Sequence, residues 1–406
     1  MNIMKRTKNK LFCVKNKLVK DFSILTKDKE KITKSGSTQK PIKIRNPGID
    51  LGRILAMFGI IIHHILVHGK AFKKYPLYKD LYKLNTSFFW HVSTYIFISG
   101  YVGYKTTKYS NLFYIWIWAL FYSIGIIKYF TIFKPNIYKK EIELTDFFPV
   151  ISYKYWYLTT YFGMYLFLPV FNKGLDNINQ SQLKIMIITL IAVFIVLKDY
   201  MNPNFDLFRM NKGYSVVWFL IFYSTGAYFG KFKEVRSLSK RIMWNLIYIL
   251  IFCNSSYLCF ALSEYPINKI NPNFKDKYIN FFKCLFITRI SAMPMILQSI
   301  TLILFVTNIN YNKYIAKIIT FIGPLTFGVF LIHDNCIIRN VYIKKIFNNY
   351  SKDEPYSSII KIILFKSLKI FVLCATIDYL RNILFSIFQI RRFCIFLEKF
   401  ICLILG

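Results

Sequence analysis

Apolar residues run along this chain in stretches of about twenty, broken by short lysine-rich segments, and two-residue alternation within them is weak. Windows of about 20 residues, enough to cross an apolar core of about 30 Å, predict approximately ten spans. They fall near 51–68, 86–104, 111–131, 154–171, 183–199, 214–230, 242–263, 281–307, 315–338 and 359–388. Backbone groups in lipid need partners within their own segment, so these runs are read as helices rather than barrel strands. The expected fold is an all-α, polytopic membrane bundle.

Composition agrees: 55% of the 406 residues are hydrophobic, with 41 Phe and 30 Tyr, more apolar surface than a single soluble core absorbs. A formal net charge of +36 would suggest nucleic acid in a soluble protein. Here the lysines lie mainly in tails and loops, where cations meet anionic lipid headgroups and fix orientation, so membrane lipids are the expected partner and nucleic acid is not. Residues 1–47 read as a basic, disordered cytoplasmic arm with no signal-peptide core, 48–391 as the membrane domain, and 392–406 as a short cytoplasmic or interfacial segment. The arm, the basic segment Lys231–Arg241 and Arg391–Arg392 place both termini in the cytoplasm, in the plasma membrane. Five lysines between 69 and 85, on the opposite side in this topology, run against the rule. The eight cysteines include no C-x-x-C pair and read as small apolar side chains.

All five histidines, His63, His64, His68, His91 and His333, lie in or beside apolar runs, where an ionisable ring is costly and marks a functional candidate. In the first span, Arg53 is followed by ten residues and then His64. On a helix the two are three turns apart, roughly 20° off one line and about 16 Å along the axis, so an extended substrate could meet both in one cavity. His68 shares that face and His63 points roughly 100° away. Only Asp334 and Asp378 among 19 acidic residues fall well inside spans, too few carboxylates for paired-acid catalysis or a multi-ligand metal site. Histidine is therefore the general-base candidate. An i, i+4 pair such as His64 and His68 can bind zinc, but neither an H-E-x-x-H glutamate nor a cysteine cluster accompanies it, and no metal is expected.

Other polar groups have simpler readings beside the functional one. Arg53 at the mouth of its span suits a phosphate or anchors to headgroups. Lys105 and Lys108 after the second span are an ordinary positive-inside cluster on their own. Tyr157, in the aromatic run opening the fourth span, fits an interface belt, and Gly226 and Gly230 in the sixth fit close helix packing. His333, Asp334 and Asn335 follow a Gly-Pro pair in the ninth span, and consecutive helical residues diverge, so His333 and Asp334 are no dyad with each other.

Together these residues resemble the acyltransferase-3 family of integral-membrane acyltransferases, over Gly48 to about Arg391. The most specific element is the Arg53–His64 spacing within Ile49–Ala56 and its continuation. Phe97–Tyr101, Trp156–Leu158, Gly226–Tyr228 and Phe330–His333 support it in order. The resemblance implies His64 as essential histidine and Arg53 as essential arginine, with a cell-surface glycan or related acceptor. Many members carry Arg-x-x-Arg after the second span, whereas this chain has Lys105-x-x-Lys108, which lacks the bidentate fork.

The function expected is transfer of an acyl group, most simply acetyl, from cytoplasmic acyl-CoA to a hydroxyl of a cell-surface polysaccharide or glycolipid. Arg53, Lys105 and Lys108 would hold the donor phosphates, and His64 would serve as base, oriented by His68, Asp334, His333 or a tyrosine such as Tyr157. The donor is a substrate rather than a bound cofactor. The rival is a secondary transporter with a histidine proton relay. It predicts matched halves with broken helices, and the histidines instead crowd into the first quarter and one late helix.

Overall fold

In a computed structural model, the described residues are 45–105, 107–137, 142–201, 206, 208–233, 237–264 and 291–405. The basic arm therefore lies outside them apart from its last residues, as does the first part of the eighth expected span. Among the described residues the chain is helical without strands. Its main helices are α1 (Pro47–His68), α2 (Trp90–Gly103), α3 (Tyr109–Phe133), α4 (Trp156–Asn177), α5 (Gln180–Ile191), α6 (Val216–Lys231) and α7 (Leu238–Glu264). They continue as α8 (Met293–Asn308), α9 (Lys313–Ile322), α10 (Thr326–His333), α11 (Cys336–Val341), α12 (Tyr356–Ile387) and α13 (Ile390–Leu405).

The described part of each of the ten expected spans is thus mostly helix. Among the described residues, five segments are long and apolar enough to cross a membrane by length and composition: Pro47–His68, Tyr109–Phe133, Gln180–Leu197, Leu238–Cys259 and Lys313–His333. The ninth expected span is interrupted, because Gly323-Pro324 makes a 3₁₀ turn between α9 and α10.

α1 runs through the centre, packed against α2, α8, α9 and α12. Its start is fixed locally: the Asn46 side chain caps Gly48 N at 2.8 Å, Pro47 pre-sets the first turn, and Asn46 Nδ2 donates to the Thr307 carbonyl at 2.9 Å. The last turn ends at His68 before Gly69. α2 and α6 approach until backbone meets backbone. A Cβ on Gly100 would sit 1.9 Å from the Tyr223 carbonyl oxygen, and one on Gly226 2.1 Å from that of Phe97.

The buried charges of α12 are structural. Arg381 grips Asp378 with two hydrogen bonds, Nε–Oδ1 at 3.0 Å and Nη2–Oδ2 at 2.9 Å, and stacks 3.8 Å from the Trp118 ring centre. Trp118 Nε1 and Tyr122 OH donate to Asp378 Oδ1 at 3.0 and 2.9 Å, which ties α12 to α3.

Candidate functional site

Two cavities lie along α1. The first, of about 70 Å³, is lined by His63, His64 and His91 and walled by rings that include Tyr95, Trp156, Tyr157, Tyr214 and Phe330. The second, of about 350 Å³, is lined by Arg53, Ser99, Asn111, Tyr114, Tyr161, Tyr165 and Arg391, among others. Arg53 and His64 therefore do not share the single cavity that their spacing suggests. Tyr95 and Tyr157 face the histidine cavity, Tyr161 faces the arginine cavity, and the rings of Tyr157 and Tyr161 stack with centres 6.1 Å apart. Tyr95 completes this partition by donating its hydroxyl to the Arg53 carbonyl at 2.8 Å.

The histidine cluster has a defined proton order. His333 Nδ1 lies 2.6 Å from the Val329 carbonyl, which can only accept, so Nδ1 carries the hydrogen. In a neutral ring that leaves His333 Nε2 as an acceptor, and it lies 3.0 Å from His64 Nδ1. His64 must then donate from Nδ1, which leaves its Nε2 with the lone pair; Nε2 makes no hydrogen bond among the described residues. Asp334 Oδ1 stands 3.5 Å from the same His64 Nδ1 and accepts from Arg339 Nη1 at 3.3 Å. The arrangement can take a proton at His64 Nε2 and stabilise the resulting imidazolium through two neighbours on its other nitrogen.

Each of the three consecutive polar residues of the ninth span has its own task. His333 and Asp334 converge on His64 although they make no pair with each other. Asn335 caps α11 through Ile337 N at 3.0 Å and donates to the Tyr155 hydroxyl at 3.0 Å, and that hydroxyl donates to the Leu331 carbonyl at 2.9 Å. The break after α10 is thus held in place on both sides.

The remaining candidates separate. Tyr157 is in the wall of the histidine cavity. His68 stacks edge-on to His64 at 5.0 Å between ring centres without lining that cavity. His63 is taken by Asn85, Nδ1 to Oδ1 at 2.7 Å. His64, His68 and Asp334 each bring a possible ligand atom within 4.8 Å of one another. His333 engages His64 at Nδ1 and Arg339 engages Asp334 at Oδ1, which leaves the other nitrogen and the other oxygen of those groups. Lys105 lies exposed over its neighbour Tyr104, 5.6 Å from the ring centre, and Lys108 is exposed; neither lines the arginine cavity.

Sequence reasoning named His91 only as one of five rings in apolar runs, with no role of its own, and gave Arg391 no place in the site. His91 lines the first cavity at 3% exposure with no hydrogen-bond partner for either ring nitrogen among the described residues. Arg391, read only as an orientation signal, lines the second. The buried ring in an apolar run was the available signal for His91; nothing local to Arg391 marked it.

The model of the acyltransferase domain known as the acyltransferase-3 family matches residues 46–377. The chain belongs to the acyltransferase-3 family. The match takes in α1, with both Arg53 and His64, and α10 with His333, and stops within α12, so the family region ends before Arg391 and α13. As a member of this family, and with several apolar helices of spanning length, the chain is an integral-membrane acyltransferase. No curated protein and no solved structure matches it.

Proposed function

We propose that this acyltransferase moves an acetyl group from cytoplasmic acyl-CoA to a hydroxyl of a cell-surface polysaccharide or glycolipid, with His64 as general base. The observation that carries the reading is the His64 ring itself: Nδ1 committed to His333, Nε2 without a hydrogen bond among the described residues, the ring lining a small cavity, and Arg53 three turns away on the same helix.

The donor's phosphates sit at Arg53 in the larger cavity, and the thin pantetheine arm carries the thioester past the tyrosine partition. His64 Nε2 takes the proton of the acceptor hydroxyl as that oxygen attacks the thioester carbonyl carbon. The C–S bond then breaks, the acyl group leaves on the acceptor oxygen, and the imidazolium returns its proton to the departing CoA thiolate. The aromatic walls fit the apolar faces of a sugar ring and exclude water, which limits hydrolysis of the thioester.

The test uses cells that carry the protein and labelled acetate, with ester-linked acetate on purified surface glycan as readout. His64→Ala is expected to lower transfer by about 10²–10⁴-fold, the span of general-base catalysis, while insertion and accumulation persist. Wild-type transfer in that variant removes His64 from the chemistry. Gradient-driven acceptor uptake by purified protein, with no transfer or hydrolysis of acetyl-CoA, would point to a transporter instead.

A further inference from the structure

The larger cavity holds a charge arrangement that Arg53 alone does not explain. Arg53 Nη1 is bonded to Asp50 Oδ1 at 2.8 Å, so part of its charge is already met by a carboxylate. The lysines expected to assist it do not line the cavity. The cation that does is Arg391, contributed from the other end of the chain.

The position of Arg391 is built rather than incidental. Gln389 adopts a left-handed backbone conformation, φ 53°, between α12 and α13, and its side-chain oxygen accepts from Arg392 Nη1 at 2.9 Å. That turn sends α13 back against α3. There Glu398 Oε1 accepts the backbone N–H of Tyr109, the first residue of α3, at 2.7 Å, a carboxylate at a helix N-terminus. Arg391 lies 5.9 Å from the ring centre of Tyr114, itself part of the cavity wall. Both arginines are exposed; Arg391 lines the cavity, and Arg392 is held by Gln389.

We infer that α13 completes the anion site of the larger cavity, with Arg391 and Arg53 together binding the phosphates of a nucleotide-tailed thioester. The inference rests on the donor proposed above and deepens it. A guanidinium fork matches phosphate geometry in a way an ammonium does not, so Arg391 supplies the group missing at Lys105 and Lys108 from a distant part of the sequence. A phosphate could also come from a lipid headgroup, and the two sources separate by experiment.

Full-length protein is reconstituted in nanodiscs of neutral phosphatidylcholine and titrated with CoA, with inorganic pyrophosphate as competitor. Arg391→Ala is expected to weaken CoA binding by about tenfold or more, as loss of a charge-assisted phosphate contact does. Competition by pyrophosphate should weaken alongside. Arg391→Lys should recover part of the affinity, and Arg392→Ala should stay within about twofold of wild type, since a solvated surface charge contributes little. The thermal midpoint in the same discs checks that the variants are folded.

Equal affinities for wild type and Arg391→Ala, when Arg53→Ala does weaken CoA binding, overturn this inference and leave the donor reading standing. An effect of Arg391→Ala confined to thermal stability in discs containing phosphatidylglycerol makes Arg391 a lipid anchor and likewise overturns it. Absence of CoA binding to the wild-type protein overturns the donor reading and this inference together.

Discussion

His64 and His333 make a chain of three acceptors and donors that begins at a backbone carbonyl, and its polarity decides which nitrogen of His64 can work as a base. Replacing His333 by Phe leaves His64 Nδ1–H without its acceptor and frees the ring to take the other tautomer. Transfer is expected to fall about 10- to 100-fold, a cost comparable with that of losing a group that orients a ligating histidine. His333→Gln, whose amide oxygen can accept from Nδ1, should restore part of the rate; a Phe variant as active as wild type would mean that His333 only packs. His91 allows the opposite kind of test, because both its ring nitrogens are buried without partners among the described residues. Removing an unpaired buried polar group relieves a cost of about 1–3 kcal/mol. His91→Phe is therefore expected to raise the thermal midpoint while lowering transfer, if the ring is kept to meet the acceptor. A more stable variant with unchanged transfer would assign His91 to packing alone.

At the scale of helices, two contacts carry the frame that aims these residues. α2 meets α6 at Gly100 and Gly226, where any Cβ would overlap a carbonyl of the facing helix, so Gly226→Ala must push the helices apart. α3 meets α12 through the Asp378–Arg381 pair, and Arg381→Ala would leave a buried carboxylate with only Trp118 and Tyr122 as donors. Breaking a buried pair from one side costs about 3–5 kcal/mol, so Arg381→Ala should accumulate poorly and unfold at lower temperature. The paired change Arg381→Met with Asp378→Leu should recover much of that loss, measured as a midpoint in detergent. No recovery would mean that the cluster has a role beyond packing. Much of this frame was legible in the sequence. Runs of twenty apolar residues specify helix wherever lipid leaves the backbone no other partner, and glycines at helix-turn spacing announce close approach. The Gly-Pro break was visible too. That Asn335 and Tyr155 would hold the second break, after α10, was not, because a contact between residues 180 positions apart has no local signature.

Across the whole molecule, the site is divided in a way that one-helix reasoning could not reveal. Helical spacing correctly put Arg53 and His64 on one helix, but what fills the space beside a helix is set by its neighbours, here the Tyr157–Tyr161 stack of α4 and Tyr95 of α2. The same dependence on neighbours hid Arg391, which reaches the cavity only because α13 folds back on α3. The partition has a mechanistic consequence. In the proposed scheme a donor held at Arg53 would reach His64 only when these rings swing aside, and closed rings would keep water of the larger cavity away from the thioester. Tyr157→Ala removes one leaf of the partition and joins the two spaces. Acetyl-CoA hydrolysis by the purified protein, measured as free CoA released without acceptor, is expected to rise relative to transfer, whereas Tyr157→Phe, which keeps the ring, should leave that ratio near wild type. If Tyr157→Ala lowers both reactions in proportion, the ring positions substrate rather than separating the cavities, and the donor must reach His64 by another route.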